Sequence, residues 1–131
     1  IALNSKGWKQ STYSNHEGKI KNSLKRVVME ETYIKENMTY WVDLLNATKD
    51  VVKLYQQKHP YMKYFAPNRC TDFRVNKYEE GGFMSEHSDG IHHSHGQEYG
   101  FPEASLLFFL NDGYEGGEFI VADTIYKPTN S

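Results

Sequence analysis

Beyond Pro67 the chain is written in short extended stretches separated by glycine pairs and polar turns, and this grammar narrows the fold more than any other feature. Over 71–78, Phe73 and Val75 fall on one parity, while Arg74, Asn76 and Tyr78 fall on the other. Successive side chains of a strand point to opposite faces, so this spacing predicts a strand with one apolar and one polar face. Glu79, Glu80, Gly81 and Gly82 make a turn. Residues 83–89 resume an extended segment, and 90–102, rich in Gly, His and polar residues, reads as a long loop. Residues 105–110 run Ser105, Leu106, Leu107, Phe108, Phe109, Leu110, a continuous apolar stretch that fits a strand buried on both faces. Asn111, Asp112 and Gly113 turn, and Gly116-Gly117 break the chain again before a short strand at 118–121. Short strands punctuated in this way predict a barrel or jelly roll.

The first half is different. Residues 1–22 are polar and irregular, with Trp8 and Tyr13 as candidate anchors. The segment 24–34, with Val27 and Val28 among alternating polar residues, is a candidate strand. Over 36–58, Met38, Trp41, Val42, Leu45, Val52 and Tyr55 recur at three- and four-residue spacings, as one face of a helix does. Pro60 ends it. The expected role of this helix is to cover a sheet. The fold class predicted is therefore α+β, mainly β, in a single domain, with a supporting segment at 1–70 and the β-rich part at 71–131.

Ten tyrosines and seven phenylalanines in 131 residues favour a packed fold over a disordered chain, which would be poor in aromatics. The net charge of -2 lacks the basic excess of a nucleic-acid binder, so no nucleic acid is expected as partner. No apolar run reaches the roughly 18 residues a membrane span needs, and no signal peptide is visible. Cys70 is the lone cysteine, which excludes an internal disulfide, predicts a buried or half-buried thiol, and makes a cytoplasmic setting the default. Two glycosylation-like triplets, at Asn37 and Asn46, fall in the predicted helix and are read as chance.

Candidate chemistry concentrates at His87, Asp89, His92, His93 and His95. In an extended segment residues i and i+2 share a face, so His87 and Asp89 present an imidazole and a carboxylate to one point. That is two-thirds of the two-His-one-carboxylate arrangement that leaves open positions on iron(II). Alone the pair says little, because a shuffled chain of this composition would contain one roughly one time in four. A solvated loop with a hydrogen-bonded histidine is the competing reading. His92, His93 and His95 are expected to be solvent-exposed loop residues, and Glu118 a surface carboxylate.

The context of the pair is more specific. A strand from Phe73 ending at Tyr78, the turn with Gly81-Gly82, the aromatic Phe83, and then His87-x-Asp89 resembles the prolyl 4-hydroxylase-like Fe(II)/2-oxoglutarate-dependent dioxygenases. Leu107 to Asn111 resembles that family's apolar strand ending in Leu-Asn, and Glu115-Gly116-Gly117-Glu118-Phe119 its Gly-Gly-Glu turn. The resemblance is concentrated in 71–121. It implies a double-stranded β-helix, a cupin-like jelly-roll barrel, with His87 and Asp89 as metal ligands. It also implies that Tyr78 lines the 2-oxoglutarate pocket, with Ser105 and Phe109 at positions that touch the co-substrate in some members. Phe109 has no hydroxyl, so its contact would be apolar.

The same resemblance implies the cofactors Fe(II), 2-oxoglutarate and O2, with ascorbate keeping the iron reduced. The substrate would be a prolyl or other side chain of a peptide or protein, or a small molecule. The family pattern also calls for a later histidine and, about ten positions beyond it, a basic residue for the distal carboxylate. After Asp89 the sequence has only the loop histidines and Lys127. The expectation is thus a partial domain, inactive by itself, whose unpaired strand edges favour self-association. A non-catalytic jelly-roll interaction module and a cupin-like metalloprotein of other chemistry are the alternative readings.

Overall fold

The computed structural model describes residues 7–14, 19–67, 69–89 and 104–127. It is an α+β arrangement of small antiparallel sheets with one long helix. The largest sheet has three strands, in the order β1 (Lys9–Gln10), β5 (Glu30–Ile34) and β6 (Phe73–Lys77). β2 (Tyr13–Ser14) pairs with β3 (Ile20–Lys21). β4 (Val27–Val28) pairs with β7 (Phe83–Met84), and β8 (Phe119–Val121) pairs with β9 (Thr124–Tyr126). The helix α1 spans Trp41–Lys58, and a 3-10 turn follows at Pro60–Met62.

Burial follows the two-residue period of a strand along the segment entering β5. Val27, Met29 and Glu31 are buried, and the intervening Val28 and Glu30 are not. Ile34 closes the central strand at 1% exposure, directly opposite Phe73. The buried carboxylate of Glu31 is not left bare. It accepts hydrogen bonds from the hydroxyl of Ser11 at 2.8 Å and of Tyr33 at 3.4 Å, and Lys9 Nζ lies 3.7 Å away. Burying a charge is costly unless it is paired and hydrogen-bonded, and Ser11, itself fully buried, is held by its own N–H to Met29 O. At the opposite side of β5, Lys77 faces Glu30 in register and pairs with it at 3.4 Å.

β6 matches the strand expected over 71–78, and the turn after it closes with Gly82 N–H donating to Glu79 O at 2.8 Å. Gly82 is required by space. A Cβ there would lie 2.9 Å from the carbonyl oxygens of both Glu79 and Val28. Gly82→Ala should therefore cost about 1–3 kcal/mol, the usual range for an overpacked site. Thermal unfolding followed by circular dichroism checks this, and an unchanged midpoint would contradict the close approach.

Several expectations need correction. The polar N-terminal stretch contains β1, β2 and β3, which were expected to be irregular. The helix starts at Trp41 instead of residue 36, which leaves Asn37 ahead of it and Asn46 inside it. It also covers the sheet sparingly. Trp41 meets Phe73 of β6 edge-on, with ring centroids 6.2 Å apart, but no described helix residue is buried. Residues 105–110 form no strand among the described residues, and all of them are exposed. A strand buried on both faces needs ladder partners and a layer on each side, and none of the described elements supplies these. Cys70 is exposed in the connector ahead of β6, not buried. Its thiol is nonetheless held above its usual range, by partial burial first and by the nearby charge of Asp72 second. Among the described residues, no helix is long and apolar enough to cross a membrane.

Candidate metal centre

The site starts from the backbone ladder. β7 pairs with β4, placing Val27 opposite Met84 and Val28 opposite Phe83. One residue beyond the strand, Ser85 N–H donates to Arg26 O at 2.8 Å, so the ladder's hold extends to Ser85. The carbonyl of Ser85 in turn lies 2.8 Å from His87 Nδ1. A carbonyl only accepts, so Nδ1 carries the proton, and in a neutral ring Nε2 is then the free lone pair. The register of β4 against β7 thus sets the orientation of an imidazole three residues past the strand.

Nε2 points at Asp89. The distance from His87 Nε2 to Asp89 Oδ1 is 3.1 Å. Two ligand atoms each about 2.1 Å from one metal at a right angle are separated by roughly 3.0 Å, whereas a tetrahedral site would set them roughly 3.4 Å apart. At that spacing the two side chains pair directly when the ring is protonated, and it is also a spacing that two ligands of one metal ion adopt. The other carboxylate oxygen, Oδ2, accepts a hydrogen bond from the Ser105 hydroxyl at 3.0 Å. Both side chains of the pair are about half exposed, at 49% and 59%, so a metal and further ligands have access. The donor set of one imidazole and one carboxylate suits iron(II). Among the described residues no third His, Cys, Asp or Glu joins the pair. His92, His93 and His95 lie outside the described residues.

Tyr78 follows β6 and keeps the parity expected of it. Its neighbours on that face are Asn76 and Arg74. The phenol is held above its usual range by burial, which outweighs the opposing charge of Arg74 and a hydrogen bond from the Asn76 side chain. Like any phenol it is a neutral O–H donor near pH 7, and it is 47% exposed. Asn76 Oδ1 is buried with no hydrogen-bond partner among the described residues. Among the described residues, the hydrogen bonds of this face and those of the metal pair do not meet: Tyr78 is tied to Asn76, His87 to Ser85, and Asp89 to Ser105.

Ser105 and Phe109, both expected to touch a co-substrate, are placed differently from each other. The Ser105 hydroxyl is on Asp89, and Phe109 is 53% exposed. Ala104, Ser105 and Leu106 line a groove of about 320 Å³ together with Val52 and Tyr55 of α1 and with Met62 and Phe65. A larger hollow of about 530 Å³ lies by Asp112, Glu115, Glu118 and Lys127. Neither is lined by His87 or Asp89, so the pair sits on an open surface and not in either cavity. The role of the Ser85 carbonyl has no side-chain signature, and sequence reasoning missed it. No family model matches this chain, and neither a curated protein nor a solved structure matches it.

Proposed function

We propose that this chain carries the metal-binding face of an iron(II)- and 2-oxoglutarate-dependent oxygenase built on a double-stranded β-helix. Its substrate would be a prolyl or other side chain of a peptide or protein, or a small molecule. The observation that carries this reading is the 3.1 Å approach of His87 Nε2 to Asp89 Oδ1, with the second polar atom of each side chain already held elsewhere. Bound iron(II) would supply the oxygen and 2-oxoglutarate chemistry that replaces a substrate C–H bond by C–OH, with succinate and carbon dioxide as co-products.

The chain's own groups would bind and orient. The Ser85 carbonyl keeps the proton on Nδ1 of His87, so that Nε2 faces the metal. Asp89 offers one oxygen and cancels part of the metal's charge. Tyr78, 47% exposed and a neutral phenol near pH 7, would donate to a carboxylate oxygen of the co-substrate. A second reading, a non-catalytic interaction module, draws on the apolar side chains that 106–126 presents to solvent, among them Leu107, Phe109, Leu110, Ile120 and Ile125. Large exposed apolar patches mark interaction sites.

One assay separates the two readings. The natural protein, given iron(II), ascorbate and 2-oxoglutarate, should form succinate even without its substrate. No succinate would overturn the oxygenase reading and leave the interaction module.

A further inference from the structure

The geometry points to Ser105 as a positioning residue that decides which oxygen of Asp89 faces the metal. This inference rests on the metal-site reading and deepens it. Asp89 is on the exposed segment after β7, with no ladder hydrogen bond to hold its backbone in β-structure. Its carboxylate is free to turn unless something grips one oxygen. Oδ1 is turned towards His87 Nε2, and Oδ2 accepts the Ser105 hydroxyl at 3.0 Å. The hydroxyl comes from a residue 16 positions away, across residues 90–103, so the contact ties two separate stretches of chain together.

Two consequences follow. With Oδ2 held by Ser105, Asp89 would present a single oxygen, Oδ1, to a metal and leave room for another ligand. Secondly, Ser105 is also among the residues that line the groove against α1, so one residue joins that groove to the carboxylate. Ser105 touches the metal's ligand and not the reacting atoms.

Outer-shell partners of this kind typically change metal affinity by about 10–100-fold. At a half-exposed site, where water competes for Oδ2, the lower end is expected. The test is a manganese(II) titration of the natural protein and its Ser105→Ala and Ser105→Thr variants, with circular dichroism confirming that each is folded. Ser105→Ala should weaken manganese(II) binding about tenfold, and Ser105→Thr, which keeps the hydroxyl, should restore it. The 2-oxoglutarate KM is measured alongside. A wild-type protein that binds manganese(II) beside a Ser105→Ala variant of equal affinity would overturn the inference alone. So would a variant that raises only the 2-oxoglutarate KM, since that places the hydroxyl on the co-substrate. A wild-type protein that binds no manganese(II) would overturn the metal-site reading itself.

Discussion

In the natural protein, replacing His87 by alanine should abolish succinate formation and leave the fold standing. The loss should exceed the hundredfold or so that marks the upper end for outer-shell partners, because His87 is a proposed direct ligand. The stability effect should be small for a stated reason. The ring is about half exposed, and its described hydrogen bond is to a backbone carbonyl that water can satisfy in its absence. Surface substitutions of this kind usually stay within about 0.5 kcal/mol. Asp89→Ala should behave alike, with Ser105 losing its acceptor. Activity is read as succinate released, and stability as the chemical-denaturation midpoint. A variant that unfolds would mean that the pair is structural. One that keeps turning over 2-oxoglutarate would mean that His87 holds no metal.

Ile34→Ala should give the opposite pattern, a large loss of stability. Ile34 is 1% exposed and ends the central strand opposite Phe73, which in turn meets Trp41 at the start of the helix. The buried apolar side chains among the described residues are Val27, Met29 and Ile34. Removing the branched chain of one leaves a void that so small a core has little means of closing. Such truncations cost about 2–5 kcal/mol, against about 5–15 kcal/mol for a whole domain. Ile20→Ala is the control, since Ile20 is 74% exposed and should change the midpoint little. Equal midpoints for the two variants would mean that Ile34 is not at the centre of the core.

Alternation made β6 legible from sequence, because Phe73 and Val75 share one face and the polar residues the other, and a glycine pair marks its end. The pairing partner of that strand was not legible. β1 to β3 are two residues each and mostly polar, so they carry no period, and their existence depends on what lies opposite in space. β9 was missed because its three residues, Thr124, Ile125 and Tyr126, are too few to show a period, although its register against β8 is regular. The run 105–110 shows the reverse error. Apolar composition signals a tendency to be buried, but burial itself comes from neighbours, and these side chains are exposed among the described residues.

The candidate site was half legible. The spacing of His87 and Asp89 was read as two residues on one face of an extended segment; their side chains do lie 3.1 Å apart, but the strand stops at Met84 and 85–89 are not strand, so a shared strand face is not what joins them. What holds them was out of reach. The Ser85 grip is a backbone carbonyl, and any residue has one. The Ser105 grip spans 16 positions, a separation that carries no local pattern. Ser105 entered the sequence reading only through the family resemblance, as a co-substrate contact and not as a partner of Asp89.

The most direct test of the metal pair needs no turnover. Manganese(II) added at a small fraction of stoichiometry to isotope-labelled natural protein broadens the resonances nearest the ion. The account predicts broadening centred on His87, Ser88 and Asp89 and reaching Ser85 and Ser105. Broadening centred instead on the acidic hollow at Asp112, Glu115 and Glu118, with the His87 ring unaffected, would contradict it.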